Sequence, residues 1–255
     1  MNRTFAALAG AAALALLALP AHAFGPQEYS AETLRIEGVI GKLDVKVTSG
    51  GRVSVAVTGP QEPLSRVSVT NSGDAVVVKQ APPPRNSRID EDDYITVTVS
   101  VPAGTGLAID DFIGEGVVGD LNGPLAVEDL TSGNLKVGRV TTATVEISGS
   151  GDLVLGDVER DLSIGIDGSG NVTTGRTTGK TSLEINGSGE IEVASVEGPV
   201  SAEINGSGDI VIKGGTADPL AVSIAGSGDI QLDGVATSQT ISQSGSGNVR
   251  IGKAK

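Results

Sequence analysis

Apolar and polar residues alternate along the second half of the chain with a period of two, the period of a β-strand that buries one face. The alternation restarts every 19 or 20 residues between Ala143 and Lys255, and each cycle contains one Gly-Ser-Gly triplet. Each cycle therefore predicts two strands joined at the triplet. Two residues before the triplet stand Ile147, Ile166, Ile185, Ile204, Ile224 and Gln243, and four after its first glycine stand Leu153, Val172, Ile191, Ile210, Ile230 and Val249.

The triplets are predicted to form tight corners, because glycine adopts positive φ angles that other residues avoid. A second corner is expected opposite the first, around Val140, Val158, Val196 and Val235. The glycines assigned to the triplet corners are Gly149, Gly151, Gly168, Gly170, Gly187, Gly189, Gly206, Gly208, Gly226, Gly228, Gly245 and Gly247.

A repeat of this length that cannot bury its own apolar face is typical of a solenoid whose coils stack on one another. We interpret it as a parallel β-helix of about seven or eight coils. The alternative is an antiparallel meander in which each triplet is the tip of a hairpin. Parallel stacking is favoured, because it places Asn186 beside Asn205 and Glu184 beside Glu203 at about 4.8 Å.

The pattern divides the chain into three parts. Residues 1–23 are predicted to be a signal peptide, since Arg3 precedes an Ala/Leu-rich run that ends in the small-x-small motif Ala21-His22-Ala23. A retained membrane anchor is the alternative, but the apolar run is short for a span of about 20 residues. Residues 24–93 are predicted to be an N-terminal β capping region that ends in a Pro/acidic loop, and residues 94–255 the β-helix.

The loop at the end of the capping region, residues 81–93, combines three consecutive prolines with a run of charged residues. Such a composition breaks strands and favours solvation. We interpret the loop as a solvated hinge, with a binding motif as the alternative.

Composition excludes several classes of active site. The only histidine, His22, lies in the predicted signal peptide, and the chain has no cysteine. Ser-His-Asp and Cys-His catalysis and zinc sites built on His or Cys are therefore excluded from the mature chain. The formal net charge of -13 argues against a nucleic-acid partner, whose phosphates require a basic surface.

The run Ile204-Asn205-Gly206-Ser207-Gly208-Asp209-Ile210, repeated with small changes after a signal peptide, resembles the GIN domain family, described as head domains of auto-transporter adhesins. The segment from Val99 to Leu107 is similar to the beginning of a related adhesin family. The resemblance covers residues 35–255, most specifically 143–250. It implies a right-handed, pectate-lyase-like β-helix without family catalytic residues and with a role in cell-surface adhesion.

Two groups of carboxylates are candidates for chemistry. Asp209 and Asp229 fall at the same place after successive triplets, which makes them candidates for holding a calcium ion between them; the alternative, which we favour, is that Asp and Asn suit turns. Asp157 and Asp161 flank Arg160, and paired carboxylates can cleave a glycosidic bond.

The sequence as a whole favours an exported, non-enzymatic binding or structural module in the periplasm or at the cell surface. No catalytic residue and no cofactor are assigned, apart from the calcium candidates. The expected partner is an unidentified envelope or extracellular polysaccharide or protein, met by a flat acidic face of the β-helix; no nucleic acid and no membrane span in the mature chain are expected. The alternative is a carbohydrate-active β-helix enzyme, a polysaccharide lyase or hydrolase.

Overall fold

The structure, a computed structural model, describes residues 23–252. The predicted signal peptide lies outside the described residues except for Ala23, and so do the last three residues. The N-terminal elements are β1 (Ala23–Tyr29), β2 (Thr33–Glu37), β3 (Ile40–Thr48), β4 (Val53–Thr58), helix α1 (Gln61–Ser65), β5 (Val67–Ser72), β6 (Ala75–Gln80), a 3₁₀ turn at Glu91–Asp93 and β7 (Ile95–Pro102).

The remainder of the described chain is a succession of strands, several of which continue around a corner. They are β8 (Gly106–Val118), β9 (Leu125–Val137), β10 (Ala143–Ile147), β11 (Asp152–Leu155), β12 (Leu162–Ile166), β13 (Asn171–Thr177), β14 (Thr181–Ile185), β15 (Glu190–Gly206), β16 (Asp209–Ile212), β17 (Gly215–Gly226), β18 (Ile230–Leu232), β19 (Val235–Ala236), β20 (Gln239–Gly245) and β21 (Val249–Ile251).

The repeats pair in parallel, one coil on the next, which confirms the β-helix over the meander. Ile147 on β10 pairs with Ile166 on β12, and Ile166 pairs with Ile185 on β14. The alignment of Glu184 with Glu203 is likewise as predicted. Strands β8 to β21, followed in chain order, form a β-solenoid of about 8 turns. This number agrees with the seven or eight coils expected.

Each turn of the solenoid has three sides rather than two. Side A contains β2, β6, residues 106–110 of β8, residues 125–128 of β9, β10, β12, β14, residues 200–206 of β15, residues 220–226 of β17, and β20. Side B contains β3, β7, residues 113–118 of β8, residues 132–137 of β9, β11, β13, residues 190–193 of β15, β16, β18 and β21.

Side C is a short side that occupies the place of the predicted second corner. It begins as the single-residue bridges Val140↔Val158↔Thr177, and later turns pair Val196 with Gly215 and Thr216 with Val235. Val140, Val158 and Val196 are buried there. Val235 is displaced by one position relative to that buried column, so the fourth predicted corner residue does not align with the others.

The core is a set of aliphatic columns inside the three sides. Ile147, Ile166, Ile185, Ile204 and Ile224 are at most 1% exposed and stack in register. Burying an aliphatic side chain of this size stabilises a fold by roughly 1.5–3 kcal/mol. The column ends at Gln243 in the last turn, where β20 is exposed throughout.

One turn departs from the aliphatic pattern. Thr174, Thr177 and Thr181 occupy inward positions where neighbouring turns have Val, Leu or Ile, and all three are buried. The hydroxyls of Thr177 and Thr181 have no hydrogen-bond partner. A buried polar group without a partner costs free energy, so Thr177 and Thr181 are expected to stabilise the fold less than Val or Leu would at the same positions.

Strands β2 and β3, which belong to the predicted capping region of residues 24–93, lie inside the parallel stack. Strand β2 pairs with β6 on one edge and β8 on the other, and β3 pairs likewise with β7 and β8. The chain thus enters the solenoid at its second level, forms the first level later with β6 and β7, and then passes on to β8. Such an order depends on long-range pairing, which local patterning does not reveal.

The capping role belongs to the antiparallel strands of the N-terminal part. Strand β4 pairs antiparallel with β7 and with β1, and β5 pairs antiparallel with β6. They cover the edge strands of the first level, whose backbone groups would otherwise lack partners. No helix within residues 23–252 is long and apolar enough to cross a membrane.

Candidate functional site

The triplet corners between side A and side B are occupied by close backbone stacking. The Ser207 N–H donates to the Gly187 carbonyl of the preceding turn at 2.8 Å, and the serines of the remaining triplets donate to the preceding turn in the same way. A Cβ on Gly208 would lie within 3.0 Å of the Gly189 carbonyl oxygen and of Ile185 Cγ2. Only glycine leaves room for that approach.

Positive φ is therefore only part of the reason for the triplets. The first glycine has a positive φ at Gly226 (145°) and Gly245 (131°), for example, but none of the third glycines of the triplets does. The third position requires glycine because of contact with the preceding turn. All twelve predicted corner glycines lie at this corner of the stack, and their contacts there are structural.

The calcium candidates Asp209 and Asp229 are engaged in hydrogen bonds between turns. Asp209 Oδ1 accepts the Asp229 N–H at 2.9 Å. Asp229 Oδ1 accepts the Asn248 N–H at 2.8 Å and its Nδ2 at 2.9 Å. Across residues 23–252 no group of three or more His, Cys, Asp or Glu side chains could hold a metal ion. The two carboxylates cap backbone N–H groups, as Asp does in turns.

Asp157 and Asp161, the carboxylates considered for catalysis, have the same role on either side of side C. Asp157 Oδ1 accepts the Arg176 N–H, and Asp161 Oδ1 accepts the Lys180 N–H, each at 2.9 Å. The surface beside Asp157 is a shallow concavity of about 420 Å³. The structure thus holds both carboxylates against the backbone of the next turn rather than directing them together into a cleft.

Side A carries an outward column of carboxylates next to the triplet corner. Its members are one level apart, at about 4.8 Å, the spacing of neighbouring strands. In successive levels from β2 to β15 the column contains Glu37, Asp110, Glu128, Glu146, Gly165, Glu184 and Glu203. We call this column the acidic ladder.

The environment of one member of the acidic ladder, Glu146, changes the pKa of its carboxyl group. Burial, together with the negative charges of Asp167, Glu184 and Glu128, raises the pKa of the Glu146 carboxyl above its usual value. Amide groups relieve the repulsion farther along: Asn186 Nδ2 donates to Glu184 at 2.9 Å, and Asn205 Nδ2 donates to Glu203 at 3.2 Å.

A second outward column on side A runs parallel to the acidic ladder and contains only small side chains from β8 to β20. Small residues keep a β surface flat, so a partner can approach the backbone of side A closely from β8 to β20; at the β2 level the same column contains Arg35. The column is formed by Ala108, Ala126, Thr144, Ser163, Ser182, Ser201, Ala221 and Thr240.

The same corner has a different form at the first level, between β6 and β7. Here residues 81–94 replace the triplet, and we call this segment the corner loop. Its backbone bonds are mostly local, for example Ser87 N–H to the Pro84 carbonyl at 3.1 Å and Asp93 N–H to the Asp90 carbonyl at 2.9 Å. The corner loop stands out from the stack and walls three concavities, of about 180, 390 and 430 Å³.

The smallest of these concavities lies against the end of the core. It is lined by Ile40, Gln80 and Pro83, among others. Gln80 is 2% exposed, and its Oε1 accepts the Ile40 N–H at 2.8 Å. Its Nε2 has no partner. The sequence pattern does not reveal this site, because a proline-rich charged loop has the composition of a solvated hinge.

Comparison with known proteins agrees with the fold. A family model described as "Putative auto-transporter adhesin, head GIN domain" matches residues 35–216 and 203–255. No curated protein matches the chain.

Several solved structures have a similar fold. A "putative adhesin" from Parabacteroides distasonis is 19% identical, with a TM-score of 0.59 over 90% of this chain and 96% of that one. A "putative adhesin" from Bacteroides fragilis is 15% identical, with a TM-score of 0.55 over 91% and 98%. A "Putative lipid binding protein" from Parabacteroides distasonis is 18% identical, with a TM-score of 0.59 over 91% and 98%.

Proposed function

Because the chain belongs to the GIN-domain family of auto-transporter adhesin heads, we propose that it is an exported, non-enzymatic binding module that offers side A to an envelope or extracellular partner. The acidic ladder and the adjacent column of small residues form the contact surface. The partner is a polysaccharide or protein that carries cationic or hydroxyl groups at regular intervals.

The observation that carries this proposal is the register of the acidic ladder. Six carboxylates fall within seven consecutive levels, so the charges lie in a line about 30 Å long. Hydrogen bonds within the fold do not require this arrangement, since the inward columns already define the register. Burial first and neighbouring carboxylates second raise the pKa of the Glu146 carboxyl, and a cationic partner would offset the repulsion among those carboxylates.

A polysaccharide lyase or hydrolase is not favoured by a specific feature of the described residues. Asp157 and Asp161 bind backbone N–H groups of the next turn. Two carboxylates that act as acid and base need to face one another across a substrate. The binding experiment for side A nevertheless measures product release, so that cleavage would be detected.

The proposal is tested with the mature chain, residues 24–255, against a panel of envelope and extracellular polysaccharides, cationic proteins and phospholipid vesicles, with and without calcium. We expect retention of a partner without new reducing or unsaturated ends. Replacing Glu128, Glu146, Glu184 and Glu203 by Gln should weaken retention at least about tenfold.

The matched control removes the same charge from outward positions on side B. It carries Asp44→Asn, Glu115→Gln, Glu190→Gln and Glu192→Gln, and retention should remain close to that of the wild type. Equal loss in both variants would show general electrostatic attraction instead of recognition by side A, and would refute the proposal.

A further inference from the structure

We propose that the cavity under the corner loop binds the acetamido group of an N-acetylated sugar. The cavity has a volume of about 180 Å³, below the range of about 300–1,000 Å³ that is usual for whole small-molecule ligands. It therefore suits a substituent of a ligand rather than an entire saccharide. An acetamido group combines one acceptor, one donor and one methyl group, and the cavity has a counterpart for each.

Two donors are available for the carbonyl oxygen of the ligand. Gln80 Nε2 and Arg66 Nε are buried atoms without a hydrogen-bond partner, and both residues line this cavity. Arg66 Nε lies 3.2 Å from Glu62 Oε1 as an ion pair, but without hydrogen-bond geometry. Buried polar groups in proteins are nearly always hydrogen-bonded. Gln80 Nε2, which has no polar partner, and Arg66 Nε, which has an ion pair but no hydrogen bond, thus indicate a ligand that accepts.

The remaining lining matches the other parts of an acetamido group. Ile40, Pro83 and Ile89 provide an apolar wall for the methyl group. Glu62 and Asp93 also line the cavity, and a carboxylate has capacity for further donors such as the ligand N–H. Their two negative charges balance the positive charges of Arg66 and Arg88. A neutral polar group fits this balance better than an anion or a cation.

A neighbouring cavity of about 430 Å³ provides space for the sugar ring. It shares Ile40, Gln80, Pro83 and Ile89 with the first cavity. Lys79 and Asp110 also line it, and such groups bind ring hydroxyls. The ring can therefore lie on the apolar residues common to both cavities while the acetamido group enters the smaller one.

This inference does not depend on recognition by side A. The sugar-ring cavity adjoins the acidic ladder at Glu37 and Asp110, but the ladder variant replaces only Glu128, Glu146, Glu184 and Glu203. That variant therefore leaves Gln80, Arg66 and Asp110 in place. Loss of side A binding with retained sugar binding, or the reverse, distinguishes the failure of one proposal from that of the other.

The test is titration of the ¹⁵N-labelled mature chain with N-acetylglucosamine, followed by NMR. The side-chain NH₂ signal of Gln80 should shift with saturation at millimolar concentration. Glucose and glucosamine, which lack the acetyl group, should leave that signal unchanged. An N-acetylated amino-acid amide serves as a second source of the same chemistry; binding as tight as that of the sugar would show that the ring contributes nothing and would overturn the assignment to a sugar.

Variants test whether binding of the sugar depends on the two donors or on the corner loop in general. Arg66→Met and Gln80→Leu should each weaken binding of N-acetylglucosamine at least about tenfold. Arg85→Met, in the corner loop but outside the lining of this cavity, should bind as the wild type does. If Gln80→Leu fails to fold, the shift of the Gln80 signal in the wild type and the affinity of Arg66→Met still test the proposal. Absence of a Gln80 shift, or an equal response to glucose, would overturn the proposal.

Discussion

The corner between side A and side B has two contrasting forms at the first level and in the triplet repeats, and they differ in the space that the backbone leaves. From residue 149 onward the corner is a Gly-Ser-Gly triplet whose serine N–H bonds to the turn before it. At the first level the corner is residues 81–94, with mostly local backbone bonds and three concavities along its walls. Regular stacking leaves no space for a ligand, whereas the interrupted corner provides it.

The comparison indicates that the regular repeat and the space for a ligand lie in different parts of the same scaffold. The triplets extend the solenoid and so create the long, flat side A. The corner loop lies at the end of the stack, where only one neighbouring turn constrains it. An insertion at that place leaves the register of the later turns intact.

The largest effect is expected from a side chain added to a triplet. Gly208→Ala should lower the free energy of unfolding by about 3 kcal/mol, because the new Cβ would overlap the Gly189 carbonyl oxygen and Ile185. Chemical denaturation measures the loss. Gly214→Ala is the control: its Cβ would meet only the Ala194 carbonyl oxygen, at 3.7 Å, and the change should be within about 0.5 kcal/mol. Equal stability of both variants would remove the steric basis of the comparison.

A smaller effect is expected where a carboxylate joins two turns. Asp209→Ala should destabilise the protein by about 1–2 kcal/mol, since the Asp229 N–H loses its acceptor. Asp209→Asn retains an acceptor oxygen and should recover most of the loss. Thermal unfolding of the two variants measures the difference. A requirement for the charge itself, with Asn as harmful as Ala, would favour a bound cation at this position.

Replacement of a buried threonine is expected to raise the free energy of unfolding instead of lowering it. Thr177→Val should stabilise the protein by about 1 kcal/mol, because it replaces an unpartnered hydroxyl with the residue type present at Val158 and Val196 of the same column. Denaturant unfolding of this variant provides the measurement. Thr173→Val, at an outward position of the same turn, should have little effect. Destabilisation by Thr177→Val would show that its hydroxyl is satisfied in solution.

The smallest effect on stability is expected from removing one charge of the acidic ladder, at Glu146. The pKa of Glu146 is raised in the folded state, so the folded protein binds more protons than the unfolded chain between the ordinary value of 4.5 and the raised one. Stability contributed by this group is consequently lost as the pH rises through that window.

Glu146→Gln should therefore stabilise the protein at neutral pH by less than about 1 kcal/mol, and the gain should vanish below the unfolded-state pKa. Urea unfolding across a pH series measures it, with Glu32→Gln outside the ladder as control. A gain that grows toward acid pH would contradict a raised pKa at Glu146.

Much of the fold was predictable because its repeat is local. Ile147, Ile166 and Ile185 define the inward face, and the spacing of 19 residues between them predicts the parallel register that the structure has. The position of β2 and β3 inside the stack was not predictable, since it depends on pairing with β8, which comes much later in the chain. Side C was hidden as well, because one or two residues per turn carry no periodicity.

The candidate sites show the same division. The acids at 184 and 203 could be aligned from the repeat, and with them part of the acidic ladder. The cavity at Gln80 depends on burial of a polar residue that ends an ordinary strand, and on a loop whose prolines and charges are typical of a solvated hinge. A sequence signal exists nonetheless: residues 81–94 stand at a corner that is a three-residue Gly-Ser-Gly triplet from residue 149 onward.

The central claim, that the triplet corners and the corner loop differ in stacking, is tested most directly by native-state amide hydrogen exchange of residues 24–255. Ser188, Ser207 and Ser227 donate to the preceding turn and should exchange only through opening of the solenoid. The amides of Arg85, Arg88 and Asp92 in the corner loop should exchange orders of magnitude faster. Comparable protection at both corners would contradict the account, since it would mean that the corner loop is as firmly stacked as the triplets.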